Sequence, residues 1–168
     1  MGQRIKRSFP LTPYSATRVF FIRLLNNADT LHENAKGYFR YFLQEKVSLK
    51  CSAITIAEYC VKGKLDELPL RNLQILPFNL DHAVRAGLLY SRFLENKPKE
   101  KARERDVVIN DVKLFAQADI EEAIDAFITS DTEGKKIFET INKVNPMSLK
   151  FIDIQTPHNA TFGILPLS

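Results

Sequence analysis

Apolar residues follow two alternating patterns along this chain. Short apolar runs of about four to six residues are separated by longer stretches in which apolar residues recur every three or four positions. The short runs predict buried β-strands, and the longer stretches predict amphipathic helices. The predicted strands cover 47–51, 73–78, 126–129 and 149–154, and the predicted helices cover about 30–45, 52–63, 79–94, a stretch from Asn110 or Asp111 onward, and about 132–142.

Strands that alternate with helices are typical of a parallel sheet covered by helices on both faces. The sequence therefore predicts an α/β fold: one domain over residues 17–154, with about four to five short strands flanked by helices. The remaining residues, 155–168, contain two prolines and a glycine, and we expect them to form a tail on the surface.

Residues 1–16 do not fit this pattern. The segment is basic at its start and contains Pro10 and Pro13. Because proline is poorly tolerated in a central strand, the residues before Thr17 are only a weak strand candidate.

The overall composition indicates an ordinary globular protein with a slight excess of positive charge. Of the 168 residues, 45% are hydrophobic, and the net charge of +4 is compatible with a polyanionic ligand. Cys51 and Cys60 lie in apolar surroundings and are expected to be buried free thiols. The longest apolar run, 19–25, is too short to span a membrane, and no signal-peptide pattern follows the basic start, so we expect a cytoplasmic protein.

Three carboxylates stand out by their positions. Asp131 follows a predicted strand, Asp111 begins a predicted helix, and Glu58 lies among apolar residues one turn into another helix. Helix capping explains Asp111 and Asp131 equally well, and an ion pair with an arginine would explain Glu58. At the shared carboxyl edge of a parallel sheet, however, three acids would form a cluster of like charge that is unstable unless a cation or a basic side chain neutralises it. Mg²⁺ or Mn²⁺ held there would suit phosphodiester hydrolysis.

Other kinds of site have less support. The chain has no glycine-rich phosphate loop, which argues against a nucleotide-binding domain. The three histidines, His32, His82 and His158, are expected at the surface, and no serine or cysteine has a histidine placed beside it by sequence. We therefore expect no nucleophilic triad.

From about Thr17 to Ile154, the chain resembles the PIN-domain family, in particular its small bacterial toxin-type members. SAITIAEYCVKG is similar to the family's S-x-I-T-x-x-E segment, INDVKLFAQADI to its N-D-x-x-I-A-x-A helix, and ITSDTEGKKIF to its h-x-T-x-D-x-x-F segment, where h is apolar. The resemblance places the second, third and fourth family acids on Glu58, Asp111 and Asp131. It also matches Thr129 to a supporting hydroxyl residue.

This resemblance implies a ribonuclease that depends on Mg²⁺ or Mn²⁺, with Glu58, Asp111 and Asp131 as catalytic residues and metal ligands. Toxins of this family cut RNA, often form homodimers, and are silenced by a cognate antitoxin whose tail blocks the acidic pocket.

The beginning of the resemblance departs from the family pattern. The family has an apolar strand followed by D-T-N-V-F-I, whereas this chain has SATRVFFIRLLN. Thr17 fits, but Ala16 falls where the first aspartate belongs and Arg18 replaces the asparagine. Ala16 cannot coordinate a metal. If Arg18 points into the pocket, it could neutralise the three acids in place of a metal; alternatively it is an exposed residue.

Two functions therefore remain open on the sequence. One is a toxin-type ribonuclease by descent with an incomplete acidic metal site, and the other is a catalytically inactive PIN-like module that binds RNA or a protein partner.

Overall fold

The computed structural model of the protein describes residues 13–97, 105–121 and 124–163. The basic residues at the start of the chain and most of the charged run 97–105 therefore lie outside the described residues. In the described part, strands and helices alternate as β1 (Tyr14–Ala16), α1 (Arg18–Leu25), α2 (His32–Gln44), β2 (Leu49–Ser52), α3 (Ala53–Tyr59), β3 (Leu73–Leu76), α4 (Leu80–Asn96), α5 (Arg105–Ile120), β4 (Ala126–Thr129), α6 (Thr132–Val144), β5 (Lys150–Asp153) and α7 (His158–Phe162).

The five strands form one parallel sheet in the order β3-β2-β1-β4-β5. Strand β1 is central, and its last residue, Ala16, lies opposite Cys51 of β2 and Ile128 of β4. Because all strands run the same way, their carboxyl ends share one edge of the sheet. The predicted parallel α/β fold is confirmed.

Helices cover both faces of the sheet. Successive residues of β4 alternate between the faces: Phe127 packs into one apolar cluster, and Ala126 and Ile128 pack into the other. The first cluster contains buried residues of α4, α5 and α6, and the second contains buried residues of α1, α2 and α7. Each face therefore has its own core, as expected for strands buried on both sides.

The expectation for the residues before Thr17 is wrong, because Tyr14–Ala16 form the central strand. Pro10 lies outside the described residues. Pro13 does not prevent the strand, because it lies before the first strand residue. Its carbonyl accepts a hydrogen bond from the amide of Asp125 at 3.2 Å, and the amide of Tyr14 donates to Ser48 at 3.1 Å. Neighbouring strands thus hold the segment in the sheet.

One predicted helix start is wrong. Helix α5 begins at Arg105, so Asp111 lies inside the helix rather than at its head. Helix α2, His32–Gln44, agrees with the helix predicted over about 30–45. Helix α4 follows Asn79, whose side chain caps it by accepting from the amide of His82.

Burial differs from expectation at two residues. His82 is 1% exposed rather than at the surface, because its ring bonds the Asn79 amide on one side and Glu121 on the other. Cys60 is exposed, whereas Cys51 is buried as predicted. Burial raises the pKa of the Cys51 thiol to about 12, which makes it unreactive.

Residues 155–163 pack against α2. Phe162 of α7 is buried and stacks on Tyr41 of α2, with ring centroids 4.4 Å apart. The hydroxyl of Tyr38 donates to the carbonyl of Thr156 at 2.8 Å. The boundaries of the predicted domain at residues 17 and 154 stay predictions, although both β1 and α7 pack on the same core. No described helix has the length and apolar character that a membrane span requires.

Candidate functional site

A cavity of about 270 Å³ lies at the carboxyl edge of the sheet, where β1 and β4 end. Its floor is apolar and includes Phe115, Phe127 and Phe151. Its polar lining includes all six residues that the sequence singled out, namely Thr17, Arg18, Glu58, Asp111, Thr129 and Asp131. The structure therefore brings together residues that are up to 114 positions apart in sequence.

Asp131 lines the cavity and also caps α6. One carboxylate oxygen accepts hydrogen bonds from the amides of Glu133 and Gly134, both at 3.0 Å. The amide of Asp131 donates to the hydroxyl of Thr129, also at 3.0 Å. A side chain at Gly134 would contact the Asp131 carboxyl at 3.4 Å, so glycine leaves room for this cap. The capping explanation for Asp131 is confirmed, and Thr129 supports the backbone of the turn.

Glu58 is half-buried near the end of α3, and its carboxylate accepts a hydrogen bond from Asn110 of α5. Burial raises the pKa of Glu58 above its ordinary value of 4.5. The hydrogen bond and the positive charges of Arg18 and Lys113 act in the opposite direction but do not cancel the effect of burial. Among the described residues no ion pair includes Glu58, so the expected arginine pair is not present there.

Asn110 and Lys113 are site residues that the sequence interpretation missed. The ammonium of Lys113 donates to the side-chain carbonyl of Asn110 at 3.4 Å, one helical turn away. The only available signal was their spacing: residues three apart on a helix share one face, so Asn110 and Lys113 can reach the same neighbour.

Asp111 reaches the cavity from the interior of α5 and is half-buried. Because four or more helical residues precede it, capping does not explain an acid at this position. Its predicted position at a helix start was wrong, but its predicted neighbours at the site, Glu58 and Asp131, line the same cavity.

The end of β1 and the start of α1 lie beside the cavity, and here the sequence departs from the family pattern. Ala16 ends β1 and is 1% exposed. The hydroxyl of Thr17 accepts from the amide of Phe20 at 3.3 Å and so caps α1. Arg18 is the first residue of α1; it is largely exposed, yet it lines the cavity. Arg18 is therefore an exposed residue and also part of the cavity lining, so each of the two interpretations is correct in part.

A second cavity of about 620 Å³ lies between α1 and α3 and adjoins the first. Arg18 and Glu58 line both cavities. The walls of the second cavity are partly apolar, with Ile22, Leu25 and Tyr59. We call this second cavity the α1–α3 groove.

The donor set fits a divalent metal poorly. In the ranges that the structure describes, no three Asp, Glu, His or Cys side chains are grouped so that they could hold one ion. The end of the central strand offers the methyl group of Ala16, and one oxygen of Asp131 already binds two backbone amides. Positive charge near Glu58 comes from Arg18 and Lys113. For this reason we derive no catalytic step through a metal.

By sequence, the chain matches no protein-family model and no curated protein. Solved structures are similar in fold. A chain of VapBC2 from Rickettsia felis, bound to a promoter DNA fragment, matches with a TM-score of 0.58 and 18% identity over 84% of this chain and 99% of that one. A chain of DNA-bound VapBC from Salmonella typhimurium matches with a TM-score of 0.56 and 14% identity over 85% and 98%.

Mycobacterium tuberculosis VapC20, described as a Sarcin-Ricin loop cleaving toxin, matches with a TM-score of 0.51 and 14% identity over 73% of this chain and 93% of that one. Identities this low establish similarity of fold. The predicted resemblance is thereby confirmed at the level of the fold, and the chain has the PIN-like α/β fold of these VapC and VapBC structures.

Proposed function

We propose that this chain is a toxin-type PIN-like protein that binds RNA at the acidic cavity, and that loss of one metal ligand has impaired or abolished its cleavage activity. The observation that carries the proposal is Ala16 at the end of the central strand, beside a cavity that Glu58, Asp111 and Asp131 still line.

The three acids support descent from a metal-dependent nuclease. Carboxylate oxygens are the preferred ligands of Mg²⁺ and Mn²⁺, and such ions supply an activated water and stabilise the leaving oxygen in phosphodiester hydrolysis. A methyl group at residue 16 removes a negatively charged ligand from this set. The other three acids still line the cavity, while the affinity of the site for the ion falls.

Basic side chains around the two cavities support RNA as the ligand. Arg18 and Lys62 line the α1–α3 groove, and Lys113 lies beside Glu58. Positive groups at these positions can contact the phosphates of a strand whose backbone crosses the carboxyl edge. The net charge of +4 favours the same class of ligand.

A protein partner is a second candidate, and the α1–α3 groove favours it. Its walls combine Ile22, Leu25 and Tyr59 with charged residues, which is a composition that suits a short amphipathic segment. Two of the similar structures are VapBC complexes, and a partner of the antitoxin type is the corresponding proposal for this chain. Formation of a homodimer, which the family resemblance also implies, stays a prediction.

The test restores the missing acid. Wild type and Ala16→Asp are titrated with Mn²⁺ and Mg²⁺ by calorimetry, and both are assayed for binding and cleavage of mixed single-stranded RNA. We expect wild type to bind RNA with little or no cleavage. We expect Ala16→Asp to bind Mn²⁺ at least about tenfold more tightly, because the added carboxylate is a charged oxygen ligand.

Two matched controls remove charge without removing shape. Glu58→Gln keeps the side-chain length, and Asp131→Asn keeps a residue that can cap α6. If wild type cuts RNA with Mg²⁺ as fast as Ala16→Asp does, and either control abolishes the cut, the proposal of an impaired site is wrong. If wild type binds no RNA but captures an antitoxin-type peptide, the second candidate replaces the first.

A further inference from the structure

Three polar side chains from two helices act on the half-buried carboxylate of Glu58, which lines both cavities. They are Arg18 of α1 and Asn110 and Lys113 of α5. We call these three residues, together with Glu58 of α3, the Glu58 cluster. Only Glu58 and Arg18 had been expected at the site, and neither the fold nor helix capping requires the cluster.

The amide of Asn110 connects a negative group to a positive one. A lysine ammonium can only donate hydrogen bonds, and a carboxylate can only accept them. The carbonyl of Asn110 must therefore face Lys113, at 3.4 Å, and its NH₂ group must face Glu58. Asn110 is thus oriented by charge on both sides, and it couples Glu58 to Lys113 without an ion pair between them.

Arg18 approaches Glu58 from another helix. The hydroxyl of Thr17 caps α1, which places Arg18 at the first position of that helix, immediately after the central strand. Arg18 and Glu58 both line the acidic cavity and the α1–α3 groove, so these two residues form the wall that the cavities share. A guanidinium stays charged at every physiological pH.

Positive groups already act on this acidic region. Arg18 lines the cavity together with Glu58, Asp111 and Asp131, and the positive charges of Arg18 and Lys113 both act on Glu58. A divalent cation entering the cavity would meet these positive groups at close range, and the repulsion would offset much of its attraction to the acids.

We propose that Arg18 and Lys113 are resident counter-charges that stand in for a divalent cation in this pocket and lower its affinity for Mg²⁺ and Mn²⁺. The inference deepens the proposed function, because it rests on the incomplete acidic site and adds a second reason why that site binds metal weakly. It predicts that restoring an acid at residue 16 recovers only part of the metal affinity.

The experiment measures Mn²⁺ binding by electron paramagnetic resonance in variants of Arg18. Arg18→Gln removes the charge and keeps a polar side chain, whereas Arg18→Lys keeps the charge. We expect Arg18→Gln to bind Mn²⁺ roughly 5- to 30-fold more tightly than wild type, because it removes the Coulomb repulsion between a unit positive charge and a divalent ion in the cavity that Arg18 lines. Arg18→Lys is expected to behave like wild type.

Further variants separate a local charge effect from a change in net charge. Lys113→Gln should also tighten Mn²⁺ binding, because the charge of Lys113 acts on Glu58. Lys36→Gln on α2, which neither lines a cavity nor acts on Glu58, should not. The series is repeated in the Ala16→Asp background, where a stronger metal site makes the ratios easier to measure. Thermal unfolding without metal checks that each variant is folded, as the exposure of Arg18 leads us to expect.

The outcomes keep the two proposals apart. Equal Mn²⁺ affinity in Arg18→Gln and wild type, or equal tightening in Arg18→Gln and Arg18→Lys, would overturn the inference. RNA cleavage by wild type at the rate of Ala16→Asp would overturn the proposed function, yet the ratio between the two Arg18 variants would still decide whether Arg18 opposes metal binding.

Discussion

Two acids in the same fold, Asp119 and Glu58, are held in different ways. One oxygen of Asp119, on α5, accepts two hydrogen bonds from the guanidinium of Arg85 on α4, at 2.8 and 2.6 Å. Glu58, on α3, accepts a hydrogen bond from the neutral amide of Asn110, and positive charges act on it from a greater distance. Both acids are largely shielded from water, but only Asp119 has a cation in direct contact.

The difference separates an acid that joins two helices from an acid that belongs to a cavity. Helices α4 and α5 pack along each other, and the Arg85–Asp119 pair, together with the bond from His82 to Glu121, ties their facing ends. Glu58 makes no ion pair among the described residues. A hydrogen bond from the neutral amide of Asn110 connects it to α5, and its pKa stays raised because burial outweighs its favourable contacts. A partly buried carboxylate with a raised pKa is typical of a binding or catalytic site.

The largest effect is expected at the paired acid. Asp119→Ala should lower the free energy of unfolding by about 2 kcal/mol, because it leaves the partly buried guanidinium of Arg85 without its partner. Urea unfolding measures this loss. In a double-mutant cycle with Arg85→Met, most of the cost should disappear; a loss below about 0.5 kcal/mol would mean that the pair contributes little, as surface pairs do.

An intermediate loss of stability is expected at Asp131, which both stabilises a helix and lines the cavity. Asp131→Ala should cost about 1 kcal/mol, because α6 loses the side chain that binds its first amides. Asp131→Asn should recover most of that stability, since asparagine caps equally well, while removing the negative charge from the cavity. Equal losses in both variants, measured by urea unfolding, would show that the charge rather than the cap stabilises the fold.

The smallest change in the free energy of unfolding is expected at Glu58, and the sign of that change is the most informative. Because the pKa of Glu58 is raised in the folded protein, the folded state binds its proton more tightly than the unfolded state. The stability that this provides is complete below pH 4.5 and is lost as the pH rises through the raised pKa. Glu58→Gln lacks this loss, so at pH 7 it should be as stable as wild type or slightly more stable.

The measurement is urea unfolding of both proteins in EDTA at several pH values above and below 4.5. The stability of the Gln variant relative to wild type should increase over the window between the unfolded and folded pKa values and then become constant. A difference that runs the other way would mean that Glu58 is stabilised by its charge, as Asp119 is.

Much of the site could be predicted from sequence because its acids lie beside local signals. Asp131 follows an apolar run that ends at Thr129, and Glu58 is an acid in an otherwise apolar helix. Asn110 and Lys113 could not be assigned in the same way. Polar residues on α5 look like any solvated positions until the packing of α3 against α5 brings Glu58 to them.

The sequence by itself determined the α/β class and most element positions, because the periodicity of apolar residues records which face each segment buries. Only the tertiary structure decided that Tyr14–Ala16 form the central strand, that His82 is buried, and which charges surround Glu58. A three-residue strand is too short to show a period, and its place depends on hydrogen bonds to strands far along the chain. The balance of charge in the cavity likewise arises from residues that meet only when the helices pack.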